Sequence, residues 1–152
     1  MTTTDNEAPP VESLRILVAE DTPANQYLLT RLLTARGHQV RLAEDGVEAV
    51  NLFTAEPFDV VLMDLHMPNL DGFQASSEIR ELERARKTHV PIIAVTAYVS
   101  IDSRARCLDA GIDVLMPKPI NTREFIELIE QFPRRHDSPI SGNPSSLGSQ
   151  DL

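Results

Sequence analysis

Val60-Val61-Leu62-Met63-Asp64 is a run of four apolar residues that stops on a carboxylate, and the same form recurs along the chain. Ile16-Leu17-Val18-Ala19 ends at Glu20-Asp21, Ile92-Ile93-Ala94-Val95 ends at Thr96, and Val114-Leu115-Met116 leads through Pro117 to Lys118. Runs this short, apolar at every position rather than at alternate ones, read as strands buried on both faces of a parallel sheet. Ligands of such sheets bind outside the carboxyl ends of the strands. Three acids, one hydroxyl and one ammonium are therefore expected to meet along one sheet edge.

Outward from these runs, strands alternate with helical patterns. The expected order is Arg15–Ala19, Pro23–Arg36, His38–Ala43, Gly46–Glu56, Phe58–Met63, Phe73–Lys87, Pro91–Thr96, Ile101–Ala110, Val114–Met116 and Thr122–Phe132. The punctuation agrees: Thr22 suits a helix N-cap followed by Pro23, and Asp45 and Asn121 suit caps with Glu48 and Glu124 in the capping-box place. Gly37 and Gly111 suit helix C-termini. Five strands interleaved with five helices predict a doubly wound α/β fold with helices on both faces of a parallel sheet. Residues 1–12 and the Pro-, Ser- and Gly-rich residues 133–152 are expected to be disordered ends around one domain at 13–132.

Composition narrows the partners. A chain of 152 residues with 41% hydrophobic content builds one core, and its net charge of -9 opposes binding to nucleic acid or an anionic membrane. Arg134-Arg135-His136 is too short a basic cluster to change that. No apolar stretch approaches the roughly 20 residues of a membrane span, and no signal-peptide pattern opens the chain. With a single Cys, Cys107, no internal disulfide forms, and a cytoplasmic location is expected. Cys107 itself reads as core filler.

The charges at the sheet edge predict a chemistry. Three carboxylates held together repel one another unless a hard cation sits among them, and Mg²⁺ is the expected ion. Mg²⁺ takes one or two carboxylates and keeps several waters, which leaves Asp64 able to accept a phosphoryl group as an oxygen nucleophile. The Thr96 hydroxyl and the Lys118 ammonium would then meet phosphoryl oxygens that the metal does not cover. Taken singly, each of these residues is more often a cap, a loop start or an exposed charge; their joint placement at four strand ends carries the reading.

In order and spacing, Val18-Ala19-Glu20-Asp21, the run from Val60 through Asp64-Leu65-His66-Met67-Pro68 to Asp71-Gly72, Val95-Thr96-Ala97 and Pro117-Lys118-Pro119 resemble the receiver domains of two-component response regulators. The resemblance extends from about Leu14 to Phe132. It implies a flavodoxin-like sheet in strand order 2-1-3-4-5 and Asp64 as phosphoacceptor. Asp21 becomes a direct Mg²⁺ ligand, Glu20 a second acid acting largely through water, and the His66 backbone carbonyl a further ligand. Thr96 becomes the switch hydroxyl, Lys118 the phosphate-pairing amine, and Lys118-Pro119 a cis bond. Such a domain catalyses only its own phosphorylation and dephosphorylation.

Within the family, Glu20-Asp21-Thr22-Pro23-Ala24-Asn25-Gln26, Arg80-Glu81-Leu82-Glu83 and Pro91 to Ala97 look most like receivers attached to hybrid sensor histidine kinases. The implied partners are a histidine kinase or a histidine phosphotransfer domain, with a phosphorylation-dependent homodimer as one form of output. No effector domain follows Phe132, so a stand-alone regulator, a relay intermediate and a piece of a larger kinase are all open. Two departures from the family pattern stand out. Thr22 occupies a place often held by Asn, and Leu115 replaces the aromatic found three residues before the lysine. Switching is therefore expected to run through Thr96, the following loop and the helix Ile101–Ala110. By the same resemblance His66 and Tyr98 flank the path of hydrolytic water, and Tyr98 is expected either to shield the phosphoryl group or to point to solvent or pack on the neighbouring helix.

Rival classes fail at particular residues. A haloacid-dehalogenase-type phosphatase needs an acid where His66 stands, a flavin mononucleotide carrier would be repelled by Glu20-Asp21, and no Gly-x-x-x-x-Gly-Lys run exists for a P-loop. A receiver-shaped interaction module that is never phosphorylated remains the alternative. Among other features, His38, His89 and His136 lack metal-site spacing, Glu78 to Lys87 is expected to be a solvated helix face, and Phe125, Ile126 and Ile129 are expected in the core.

Overall fold

The computed structural model describes residues 12–97 and 99–133. The segments expected to be disordered therefore lie almost entirely outside the described residues, as do the basic cluster with His136 and Tyr98. The elements are β1 (Arg15–Ala19), α1 (Pro23–Ala35), β2 (Gln39–Ala43), α2 (Gly46–Ala55), β3 (Val60–Asp64), α3 (Gly72–Arg86), β4 (Ile92–Thr96), α4 (Ile101–Ala110), β5 (Val114–Pro117) and α5 (Thr122–Glu130). All strand pairs are parallel and the sheet order is β2-β1-β3-β4-β5, as expected.

In place of the single core expected, two clusters lie on the two faces of the sheet, and they explain the unbroken apolar runs. Successive residues of a strand point to opposite faces. Leu17, Ala19, Val61, Met63, Ile92 and Ala94 pack with Phe53 of α2, Phe73 and Ile79 of α3 and Cys107 of α4. Ile16, Val18, Val60, Leu62 and Ile93 pack with Leu29 and Leu33 of α1 and Phe125 and Ile129 of α5. Only a strand buried on both sides needs an apolar residue at every position. The edge strand β2, with Gln39, Arg41 and Leu42 exposed, has no such need.

The caps depart from expectation in instructive ways. Thr22 is the N-cap of α1 but its side chain makes no capping bond; the hydroxyl turns to Asp21. Asp45 accepts from the Glu48 N–H at 2.8 Å, yet the Glu48 carboxylate accepts from the Glu44 N–H rather than closing a box on Asp45. Asn121 accepts from the Glu124 N–H. Full capping boxes occur instead at Asp71 with Gln74, which starts α3 one residue earlier than expected, and at Ser100 with Ser103. Gly111 ends α4 at φ 82, where a side chain would be strained.

The run Glu78 to Lys87 is not uniformly solvated. Arg80 and Glu83 turn inward as an ion pair, the Glu83 carboxylate also accepting from the Val90 N–H at 2.6 Å. Arg80 in addition donates to the carbonyls of Gly111 and Val90 and to Asp113. Alternating charge signs cannot distinguish an outer helix face from one that docks on loop carbonyls needing donors.

Candidate functional site

Each strand delivers its terminal residue to the same edge because the parallel register holds the strand ends level. Ala19 pairs with Met63, Asp64 with Val95, and Thr96 with Pro117. Glu20 and Asp21 thus lie beside Asp64, and one carboxylate oxygen from each falls within 4.8 Å of the others. The Lys118 ammonium stands 3.4 Å from Glu20 Oε1 and 3.5 Å from Asp64 Oδ2. Thr96 is buried and is tied to the lysine through the backbone, the Lys118 N–H donating to the Thr96 carbonyl at 2.8 Å. The Lys118-Pro119 bond is cis.

The acids differ in surroundings. Asp21 is exposed, whereas Glu20 and Asp64 are buried. Glu20 is held by the Thr22 N–H and the Asn25 amide on Oε2, and the Gln26 amide donates to its backbone carbonyl at 2.6 Å. Asp64 accepts from the His66 N–H at 3.2 Å. Burial pushes the Asp64 carboxyl above its ordinary range, and Glu20 and Asp21 add to this; the His66 N–H and Lys118 act the other way. The three carboxylates face one ammonium, an excess of negative charge and of oxygen donors that fits a hard divalent cation.

Gly72 sets how closely α3 approaches this edge. A Cβ there would collide with the Asp64 carbonyl, and the Gly72 N–H donates to the Leu65 carbonyl at 3.1 Å. A cleft of about 400 Å³ opens beside the cluster, with Glu20, Lys118, Leu28, Leu29 and Ile120 in its lining. The His66 side chain is exposed. Leu115 packs against the core under α2, α3 and α4, so the place of the missing aromatic is taken by an inward aliphatic. The Asn25 and Gln26 amides, which no local sequence signal marks beyond the family likeness, sit in the first turn of α1 and face back toward Glu20. Among the described residues, no helix is long and apolar enough to cross a membrane.

A doubly wound sheet with an acid cluster able to hold a cation at the carboxyl ends of its central strands is the arrangement expected of a receiver domain. The model of the response regulator receiver domain matches residues 16–130, and the chain belongs to that family. It is 37% identical over 133 residues to sensor histidine kinase RcsC of Salmonella typhi, a match covering 88% of this chain and 14% of that kinase. Among solved structures it resembles the receiver domain of sensor histidine kinase PA1611 from Pseudomonas aeruginosa PAO1, which has a magnesium ion coordinated in its active-site cleft. The TM-score is 0.72 at 36% identity, over 80% of this chain and 98% of that one. It also resembles a chain of the Saccharomyces cerevisiae complex between the histidine phosphotransfer protein Ypd1 and the receiver domain of the response regulator Ssk1. There the TM-score is 0.71 at 28% identity, over 78% and 88% of the two chains. The protein is a receiver domain of two-component and phosphorelay signalling.

Proposed function

We propose that Asp64 is the phosphoacceptor, that Asp21, Asp64 and the His66 backbone carbonyl hold Mg²⁺ with Glu20 acting largely through water, and that Thr96 and Lys118 sense the phosphoryl group. The observation that carries this reading is the convergence of three carboxylates within 4.8 Å, two of them, Glu20 and Asp64, bridged by the Lys118 ammonium. When bound, Mg²⁺ supplies positive charge that offsets the acids and the phosphoryl oxygens. One Asp64 oxygen attacks phosphorus, its O–P bond forming as the N–P bond of a phosphohistidine breaks, and the departing imidazole takes up a proton. The His66 N–H on Oδ1 turns the other Asp64 oxygen toward the donor. Lys118 exchanges part of its pairing with Glu20 and Asp64 for a phosphoryl oxygen, and the Thr96 hydroxyl donates to another.

The phosphoryl donor or recipient is a histidine kinase or a histidine phosphotransfer domain, in the cytoplasm. The RcsC relative and the Ypd1 complex support that choice. The chain spans about a seventh of the RcsC relative's length, and we place it as the receiver unit, residues 13–132, of a hybrid kinase. The test is labelling with acetyl phosphate and Mg²⁺. One phosphoryl group should be gained, and both Asp64→Asn and excess chelator should abolish it; undiminished labelling in either would overturn the assignment.

A further inference from the structure

The loop from Leu65 to Asp71 carries the His66 N–H that orients Asp64 and, on the reading above, the His66 carbonyl that meets the metal. Its ends are secured by the sheet and by α3: the Leu65 N–H donates to the Val95 carbonyl and the Gly72 N–H to the Leu65 carbonyl. Its tip is not part of either element. Asn69 there holds φ 68, a conformation costly for most side chains, and its amide donates to Asp45 Oδ2 at 2.6 Å. Asp45 is the N-cap of α2 and spends its other oxygen on the Glu48 N–H. Those two donors hold its carboxyl below the usual range, the Glu48 N–H contributing most. Next to it, Gly46 lets the Leu70 carbonyl lie against the start of α2, where any Cβ would collide.

We infer that the Asn69–Asp45 hydrogen bond is a brace that positions the His66 backbone for metal and phosphoryl binding, making Asn69 and Asp45 positioning residues of the site. Met67 and Leu70 pack on the core and fix where the loop lies. The bond at its tip adds a directional anchor against rotation of the His66 peptide, and a rotated peptide would lose both the N–H on Asp64 and the aim of the carbonyl. The brace joins the tip to a helix terminus that is itself fixed on the core through Ala49 and Phe53. The inference rests on the phosphoacceptor reading.

The test uses variants that spare the backbone. Asn69→Gly removes the donor but tolerates the positive φ, and Asp45→Ser keeps the α2 cap while losing the oxygen that Asn69 uses. Mg²⁺ affinity would be followed from the His66 amide resonance in the full chain, alongside acetyl phosphate labelling and melting temperature. Each single variant should weaken Mg²⁺ binding and slow labelling by about 3- to 10-fold, less than the full worth of one charge-assisted hydrogen bond because the brace acts on the metal only through the His66 peptide. The double variant should lose no more than the worse single one. Variants binding Mg²⁺ like the parent, or a double variant whose loss is the product of the two single losses, would overturn the brace. So would a fall in melting temperature large enough to account for the lost binding through unfolding. A parent chain that neither binds Mg²⁺ nor becomes labelled would instead overturn the phosphoacceptor reading beneath it.

Discussion

The two ends of the sheet use the same residue types to opposite effect. At the amino end, acids are matched donor for donor. Glu83 and Asp113 share Arg80, Asp113 also accepts from the Ile92 N–H, and Glu130 takes a two-pronged bond from Arg36 and a third contact from His38. Asp59 accepts from the Arg15 N–H at 2.7 Å. At the carboxyl end, Glu20 and Asp64 also accept N–H donors, but among the described residues the three acids Glu20, Asp21 and Asp64 have one cation, Lys118, paired with two of them. Where burial is balanced by donors, charge holds elements together; where it is left in excess, it suits the cation and the phosphoryl group proposed above.

Breaking the amino end should cost stability and leave the chemistry alone. Arg80→Ala strands the buried Glu83 carboxylate and should destabilise the domain by about 3 kcal/mol in urea unfolding. The folded fraction should still become labelled at the parent rate. A labelling defect that persists in fully folded Arg80→Ala protein would erase the distinction between the two ends.

The reciprocal change at the carboxyl end should spare the fold. Lys118→Ala leaves all three carboxylates in place, so Mg²⁺ affinity should hold or rise, by less than about 10-fold, since a competing positive charge has gone. The phosphorylation-induced change around Thr96 should disappear. Metal titration and amide shifts with a phosphoryl mimic decide it; a complete response in the variant would show that Lys118 is not the phosphate partner.

Acid should act on the two ends with opposite sign, a smaller effect read without metal. Glu130 is held below its ordinary 4.5, chiefly by the Arg36 hydrogen bond, so the stability it contributes is present above that value and lost as pH falls through its folded value. Asp64 is raised above 3.8, chiefly by burial, so its ionised form costs stability that returns as pH falls through the raised value. In chelator, Asp64→Asn should be more stable than the parent at neutral pH, with the gain vanishing on acidification. Glu130→Gln should be less stable, with the deficit shrinking as pH falls. Parallel pH profiles for the two variants would show that the ends are electrostatically alike.

Much of this molecule was legible from local sequence. Apolar runs at every position, each closed by a polar residue, marked the three buried strands β1, β3 and β4 and the residue types gathered at their ends, because a parallel sheet covered on both faces demands the one and exposes the other. Glu20, Asp21, Asp64 and Lys118 stand together as that pattern requires. The Gly111 terminus and the Asp45 and Asn121 caps followed from the conformational limits of single residues.

Tertiary structure decided what depends on a neighbour remote in sequence. Whether Arg80 and Glu83 face water or the Gly111 and Val90 backbone is set by loops that α3 meets only after folding. His38 is buried because the Leu14 N–H needs an acceptor there, and Glu130 reaches its other ring nitrogen from α5. Gly46 and Gly72 are needed for the close approach of Leu70 and Asp64 rather than for a turn. The bond from Asn69 to Asp45 exists only once α2 and α3 pack together and bring the loop before α3 to the start of α2. Local spacing specifies which groups a strand or helix end offers; the partners that satisfy, orient or leave them charged are chosen by packing, which brings distant residues within hydrogen-bond range.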